Sequence, residues 1–107
     1  MALNALEEAR LKSIKAPQFL AVKANRTYYK QMATDAYAYT AKVLKATGQT
    51  PRPDDVSDHL EGAIDLDPKL NVFLQKAKAP QNYWKKWFTY LILDTFWKEL
   101  DDEHKGS

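Results

Sequence analysis

From Gln18 to Thr47 the chain runs without a glycine or a proline, and its apolar side chains recur at helical spacing. Leu20 or Ala21, Ala24, Tyr28, Met32, Ala36, Tyr39 and Val43 form one stripe, which predicts a long helix over 18–47. A second face carries Lys23, Arg26 or Thr27, Lys30, Thr34, Ala38, Ala41 and Lys45. Gly48 is placed to stop this helix, and Pro51 and Pro53 forbid its continuation. The whole chain holds three glycines, Gly48, Gly62 and Gly106, so tight hairpins lack their raw material. No strand-like alternation of useful length occurs, and the predicted fold is all-α.

Four shorter or later helices complete the expected bundle of about five. Residues 2–14 carry Leu3, Leu6, Ala9 or Arg10, and Ile14 on one side, and Pro17 marks a break. After the connector Thr50-Pro51-Arg52-Pro53, Asp54 and Asp55 open a helix to about Ile64 that turns Val56, His59 or Leu60, and Ala63 or Ile64 inward. Asp67 followed by Pro68 is an N-cap and first-turn pair for a short helix with Leu70, Phe73, Leu74 and Ala77 inward. Pro80 opens the second long helix, 80–100, which is apolar around most of its circumference and so belongs at the centre or under a partner. Residues 101–107 read as a charged, frayed tail, and 1–107 as a single helical domain.

Charge is segregated along the chain. Residues 10–52 hold nine basic side chains and one acid, Asp35, which makes +8 in a chain of net charge +2. The acids follow in 54–67, where Asp54, Asp55, Asp58, Glu61, Asp65 and Asp67 stand without a basic neighbour. Residues 69–86 return to positive through Lys69, Lys76, Lys78, Lys85 and Lys86. A basic helix interleaved with tyrosines is the pattern that tracks phosphates and stacks on unpaired bases. The residues this reading selects for contact with DNA or RNA are Arg10, Lys12, Lys23, Arg26, Lys30, Lys42 and Lys45, with Lys85 and Lys86 as a shorter second patch. Tyr28 and Tyr39 fall on the apolar stripe and are expected in the core, whereas Tyr29 and Tyr37 project off it and are the stacking candidates.

Catalytic and metal chemistry find no footing. No Walker, GxGxxG or HExxH pattern is present, and no serine sits in a nucleophile elbow. His59 has Asp55 one turn before it and Asp58 beside it, an arrangement more simply read as a capped helix with a partly buried imidazole; His104 is expected to be solvated. Asp65-Leu66-Asp67 lacks the glycine and closing glutamate of a calcium loop. The chain has no cysteine, hence no disulfide or thiolate site. No catalytic residue, metal site or cofactor is expected. The longest wholly apolar run, Tyr90-Leu91-Ile92-Leu93, is far short of the ~20 residues that span a bilayer. With acids near the N-terminus where a signal peptide needs bases, the reading is a cytoplasmic protein with no membrane partner.

Two other binding readings use different surfaces. A protein–protein adaptor would dock through Trp84, Trp87 and Trp97 of the aromatic C-terminal helix. A helix-turn-helix DNA-binding regulator would use residues 54–78, although its first helix, which carries most of the acidic charge, would bring Asp54, Asp55, Asp58 and Glu61 to the phosphate backbone and its second offers only Lys69, Asn71 and Gln75.

The stretches Arg26-Thr27-Tyr28-Tyr29-Lys30 and Tyr83-Trp84-Lys85-Lys86-Trp87, in a small cysteine-free helical chain, resemble the small subunits of Cascade-type CRISPR effector complexes. The resemblance covers Ala2 to Leu100 in size, helicity and charge pattern. It implies a non-catalytic antiviral-defence subunit that packs with other subunits and with further copies of itself. It also implies that the basic residues from Arg10 to Lys45 hold strands of nucleic acid.

Overall fold

The structure is a computed structural model that describes residues 3–79 and 81–105. Among them lie six helices: α1 (Ala5–Ser13), α2 (Ala16–Ala21), α3 (Lys23–Lys45), α4 (Pro53–Asp65), α5 (Pro68–Lys76) and α6 (Gln81–Lys105). The all-α bundle expected from the periodicity is the fold observed. Ala2 and Pro80, expected to belong to the first and last helices, lie outside the described residues.

Local chemistry sets the helix starts. The Asn4 Oδ1 accepts from the Glu7 amide at 2.8 Å while Glu7 Oε1 accepts from the Asn4 amide at 3.0 Å, a reciprocal cap for α1. Asp55 Oδ2 accepts the Arg52 amide at 3.1 Å at the start of α4, with Pro53 in the first helical position. Asp67 caps α5, accepting from the amides of Lys69 at 3.2 Å and Leu70 at 3.1 Å.

Two elements differ from expectation. The helix expected over 18–47 is broken at Val22, whose backbone is extended (φ −61°, ψ 128°). Asn25 Nδ2 donates to the Phe19 carbonyl at 2.9 Å, satisfying an acceptor that the break frees. At the other end α6 runs on to Lys105, through residues expected to fray; residues 106 and 107 lie outside the described set.

α6 is the axis of the bundle and packs against each of the other five helices. It buries Phe88, Tyr90, Ile92, Leu93, Phe96 and Leu100, which belong to one core cluster with Leu11 of α1, Leu20 of α2, Val56, Leu60 and Ile64 of α4, and Leu70 and Leu74 of α5. Phe19 stacks on Phe73 at 4.2 Å between centroids, and Tyr29 meets Phe88 edge-on at 5.1 Å.

The buried face of α3 is Tyr29, Ala33, Ala36, Tyr37 and Thr40, rotated by about one residue, or roughly 100°, from the expected stripe. Tyr39 and Val43, expected inside, are 55% and 51% exposed. Polar groups can occupy the buried face because each has a partner. Thr40 Oγ1 donates to the Ala36 carbonyl at 2.8 Å, and both buried tyrosine hydroxyls find carboxylates.

Candidate nucleic-acid interface

α3 and the C-terminal half of α6 lie side by side, and the seam between them opens into a groove of about 500 Å³. Lys23, Arg26, Thr27, Lys30, Gln31 and Thr34 line it from α3, at positions that recur every three or four residues (23, 26/27, 30/31, 34), so they share one flank of the helix. Glu99 and Glu103 line it from α6. Three of the selected cations, Lys23, Arg26 and Lys30, therefore do converge.

They converge on carboxylates. Lys30 Nζ lies 3.0 Å from Glu103 Oε1 and 3.5 Å from Glu99 Oε2, and Arg26 Nη2 lies 3.7 Å from Glu99 Oε1. The hydrogen bond that Lys30 donates to Glu103 raises its ammonium above the ordinary pKa, with smaller help from the charges of Glu103 and Glu99. Glu99 Oε2 is buried without a hydrogen bond among the described residues, so its charge leans on that ammonium. The Arg26 guanidinium also lies 5.9 Å from the centroid of the Phe96 ring. Lys23 is exposed and takes part in no ion pair among the described residues.

The remaining basic candidates are dispersed. Lys42 and Lys45 are exposed in the last turn of α3, where they complement the helix dipole. Arg10 lies over the Trp87 ring at 5.4 Å, and Lys12 borders a separate hollow with Glu8, Leu91 and Asp94. Lys85 is spent inside the fold: its Nζ reaches Asp65 Oδ1 at 3.1 Å and the Asp65 carbonyl at 3.3 Å, with only 13% of the side chain exposed. Lys86 beside it is exposed. The continuous positive face expected from the N-terminal half is thus a short groove plus scattered charges.

The stacking candidates are corrected outright. Tyr29 is 0% exposed and donates to Asp67 Oδ2 at 2.6 Å; Tyr37 is 3% exposed and donates to Asp101 Oδ1 at 3.3 Å. No base can reach either ring face. Tyr39, expected in the core, is the open one, and it meets His59 edge-on at 4.5 Å. His59 therefore pairs with an aromatic ring, while Asp55 is engaged by Arg52. His104 packs at 5.2 Å from the Tyr37 ring.

The rival surfaces fare as follows. Trp84, Trp87 and Trp97 are half-buried and packed against the core, and Trp84 meets Trp87 at 5.0 Å. In the α4–α5 pair, Lys69 lies over the Tyr28 ring at 4.7 Å, with its Nζ 3.4 Å from Asn25 Oδ1; the start of α5 thus faces α3 rather than open solvent. Among the described residues no group of three or more His, Asp or Glu side chains is arranged to hold a metal ion, and no helix is long and apolar enough to cross a membrane.

The spacing sets Thr34 on the same face as Lys23, Arg26 and Lys30, but it does not point to Gln31, Glu99 or Glu103 as part of the groove. The two glutamates are one turn apart on α6, but only packing reveals that they face α3. The chain matches no protein-family model, no curated protein and no solved structure.

Proposed function

We propose that the chain is a cytoplasmic, non-catalytic helical module that binds a nucleic-acid backbone along the α3/α6 seam, working with other subunits of a nucleoprotein assembly. The observation that carries the reading is the meeting of Lys23, Arg26 and Lys30 in one open groove that the neutral polar side chains Thr27, Gln31 and Thr34 also line. Successive turns of α3, about 5.4 Å apart, each present a cation. Lysine and arginine so placed displace condensed counterions, a term that needs no base sequence. Glu99 and Glu103 hold Arg26 and Lys30 in place until phosphate oxygens replace them. The aromatic helix supports docking less well, because Phe88, Tyr90 and Phe96 are buried in the core and its tryptophans are half-buried against it.

Fluorescence anisotropy with a labelled oligonucleotide tests it. Affinity should fall with salt with a log–log slope near −2, about −0.7 for each of three phosphates on a single strand. The triple variant Lys23→Gln/Arg26→Gln/Lys30→Gln should lose binding while circular dichroism stays helical. Binding by that variant at the wild-type level would remove the seam from consideration.

A further inference from the structure

Beside the cationic groove lies a second hollow of about 340 Å³, lined by Pro17, Leu20, Ala21, Arg26 and Thr95. Arg26 borders both depressions, so a charged hollow and a largely apolar one adjoin at its side chain, together making a trough. The break at Val22 sits beside the apolar half: α2 ends at Ala21, the chain extends for one residue, and α3 restarts at Lys23. Leu20 is buried and gives the hollow an apolar wall, while Ala21 is small and exposed and leaves it open. Fifty-eight per cent of the Arg26 side chain is accessible, so its guanidinium can be approached from the trough.

We propose that this hollow receives an unstacked nucleobase of a single-stranded nucleic acid whose neighbouring phosphate rests on Arg26 and Lys23. The inference depends on the α3/α6 seam being a phosphate-binding surface, and it adds the class of strand. A nucleotide joins a flat, weakly polar ring to an anion a few bonds away, and the trough sets an apolar hollow beside two cations in the same order. A guanidinium plane stacks on bases as well as pairing with phosphate. Thr95 Oγ1 donates its proton to the Leu91 carbonyl at 2.7 Å, which leaves its lone pairs to accept from an exocyclic amine. A duplex keeps its bases stacked inward and offers the groove only phosphates. An acidic protein segment offers charge without the ring.

The test compares four labelled probes on the wild-type chain: a mixed-sequence single strand, an abasic strand with the same number of phosphates, the duplex, and polyglutamate of matched charge. The base-bearing single strand should bind roughly tenfold tighter than the abasic strand, with duplex and polyglutamate no tighter than the abasic probe. Ala21→Leu, which fills the hollow with an aliphatic side chain, should erase that tenfold ratio and leave abasic affinity within about twofold of wild type. Equal affinity for base-bearing and abasic strands, with steep salt dependence retained, overturns the base site and spares the seam. A duplex or polyglutamate that binds as tightly as the base-bearing strand also overturns it. Absence of salt-dependent binding to every probe overturns both.

Discussion

Tyr29 Oη donates a 2.6 Å hydrogen bond to Asp67 Oδ2, tying α3 to the N-cap of α5, 38 positions away. Tyr28 Oη reaches the other carboxylate oxygen at 2.9 Å, and the amides of Lys69 and Leu70 complete a set of four donors around a carboxylate only 2% exposed. Hydrogen bonds to a buried charge are among the more costly to lose.

Tyr29→Phe should therefore destabilise the fold by about 2 kcal/mol, read as a lower urea midpoint with an unchanged slope. Asp67→Ala removes the helix cap as well and should cost about 3 kcal/mol. Tyr28→Phe, at a half-exposed site, should cost less than Tyr29→Phe. A reversed order of the two tyrosines would contradict the burial that distinguishes them.

The same contact carries a pH dependence. Burial, reinforced by the Asp67 carboxylate, pushes the Tyr29 phenol far above its ordinary value. The unfolded chain releases this proton near pH 10, whereas the folded chain retains it. Stability from this group is thus complete below about pH 10 and is lost as pH rises above it. The urea midpoint of the wild type should fall progressively as pH rises above about 10, and Tyr29→Phe should flatten that fall. A residual slope will remain, because the Tyr28 and Tyr37 phenols are also raised, Tyr28 chiefly by its hydrogen bond to Asp67 and Tyr37 chiefly by burial.

How much of this was legible follows the range of each interaction. The stop at Gly48, the connector at Pro51 and Pro53, and the Asp67–Pro68 start are local chemistry, and each stands where the sequence puts it. The break at Val22 carries no glycine or proline and depends on Asn25 reaching back to Phe19. The buried face of α3 is offset by about one residue from the stripe that apolar spacing predicts. Ala33 and Thr40 pack inside while Tyr39 and Val43 stay out, a choice made by the neighbours of α3. Within the candidate site, the three cations are legible as part of a basic run on one helix, but the carboxylates facing them come from a helix far along the chain, as in the Lys30–Glu103 pair, 73 residues apart.

Helix ends show the same division. After α3, the Gln49 amide bonds the Leu44 carbonyl and the Gly48 amide bonds the Lys45 carbonyl, with Gly48 at φ 70°. After α5, Ala79 and Lys78 make the equivalent bonds to Leu74 and Gln75, but the left-handed position, φ 57°, is filled by lysine. Lys78→Gly should therefore stabilise by up to about 1 kcal/mol and Gly48→Ala should destabilise by about the same amount. Gly62 lies inside α4 and nothing stands within 4 Å of an added Cβ, so Gly62→Ala should stabilise by about 1 kcal/mol. Thermal unfolding of the three single variants distinguishes the signs directly.

The carboxylates of the groove make the last prediction, because they compete with any phosphate for the same cations. Glu103 and Glu99 hold Lys30 at 3.0 and 3.5 Å, and Glu99 holds Arg26 at 3.7 Å. Exposed pairs of this kind add little to stability, so Glu99→Gln/Glu103→Gln should leave the urea midpoint nearly unchanged. It should nevertheless tighten oligonucleotide binding at low salt by roughly threefold to tenfold, since two negative charges leave the path of the backbone. The gain should shrink as salt rises toward 0.15 M and beyond, where exposed charges separated by more than about 8 Å are screened. Lys23 faces no such competitor among the described residues, so Lys23→Gln should cost more affinity than Lys30→Gln, whose charge is already half-spent on Glu103. A double glutamine variant that binds no tighter than wild type would mean that the strand does not pass between α3 and α6.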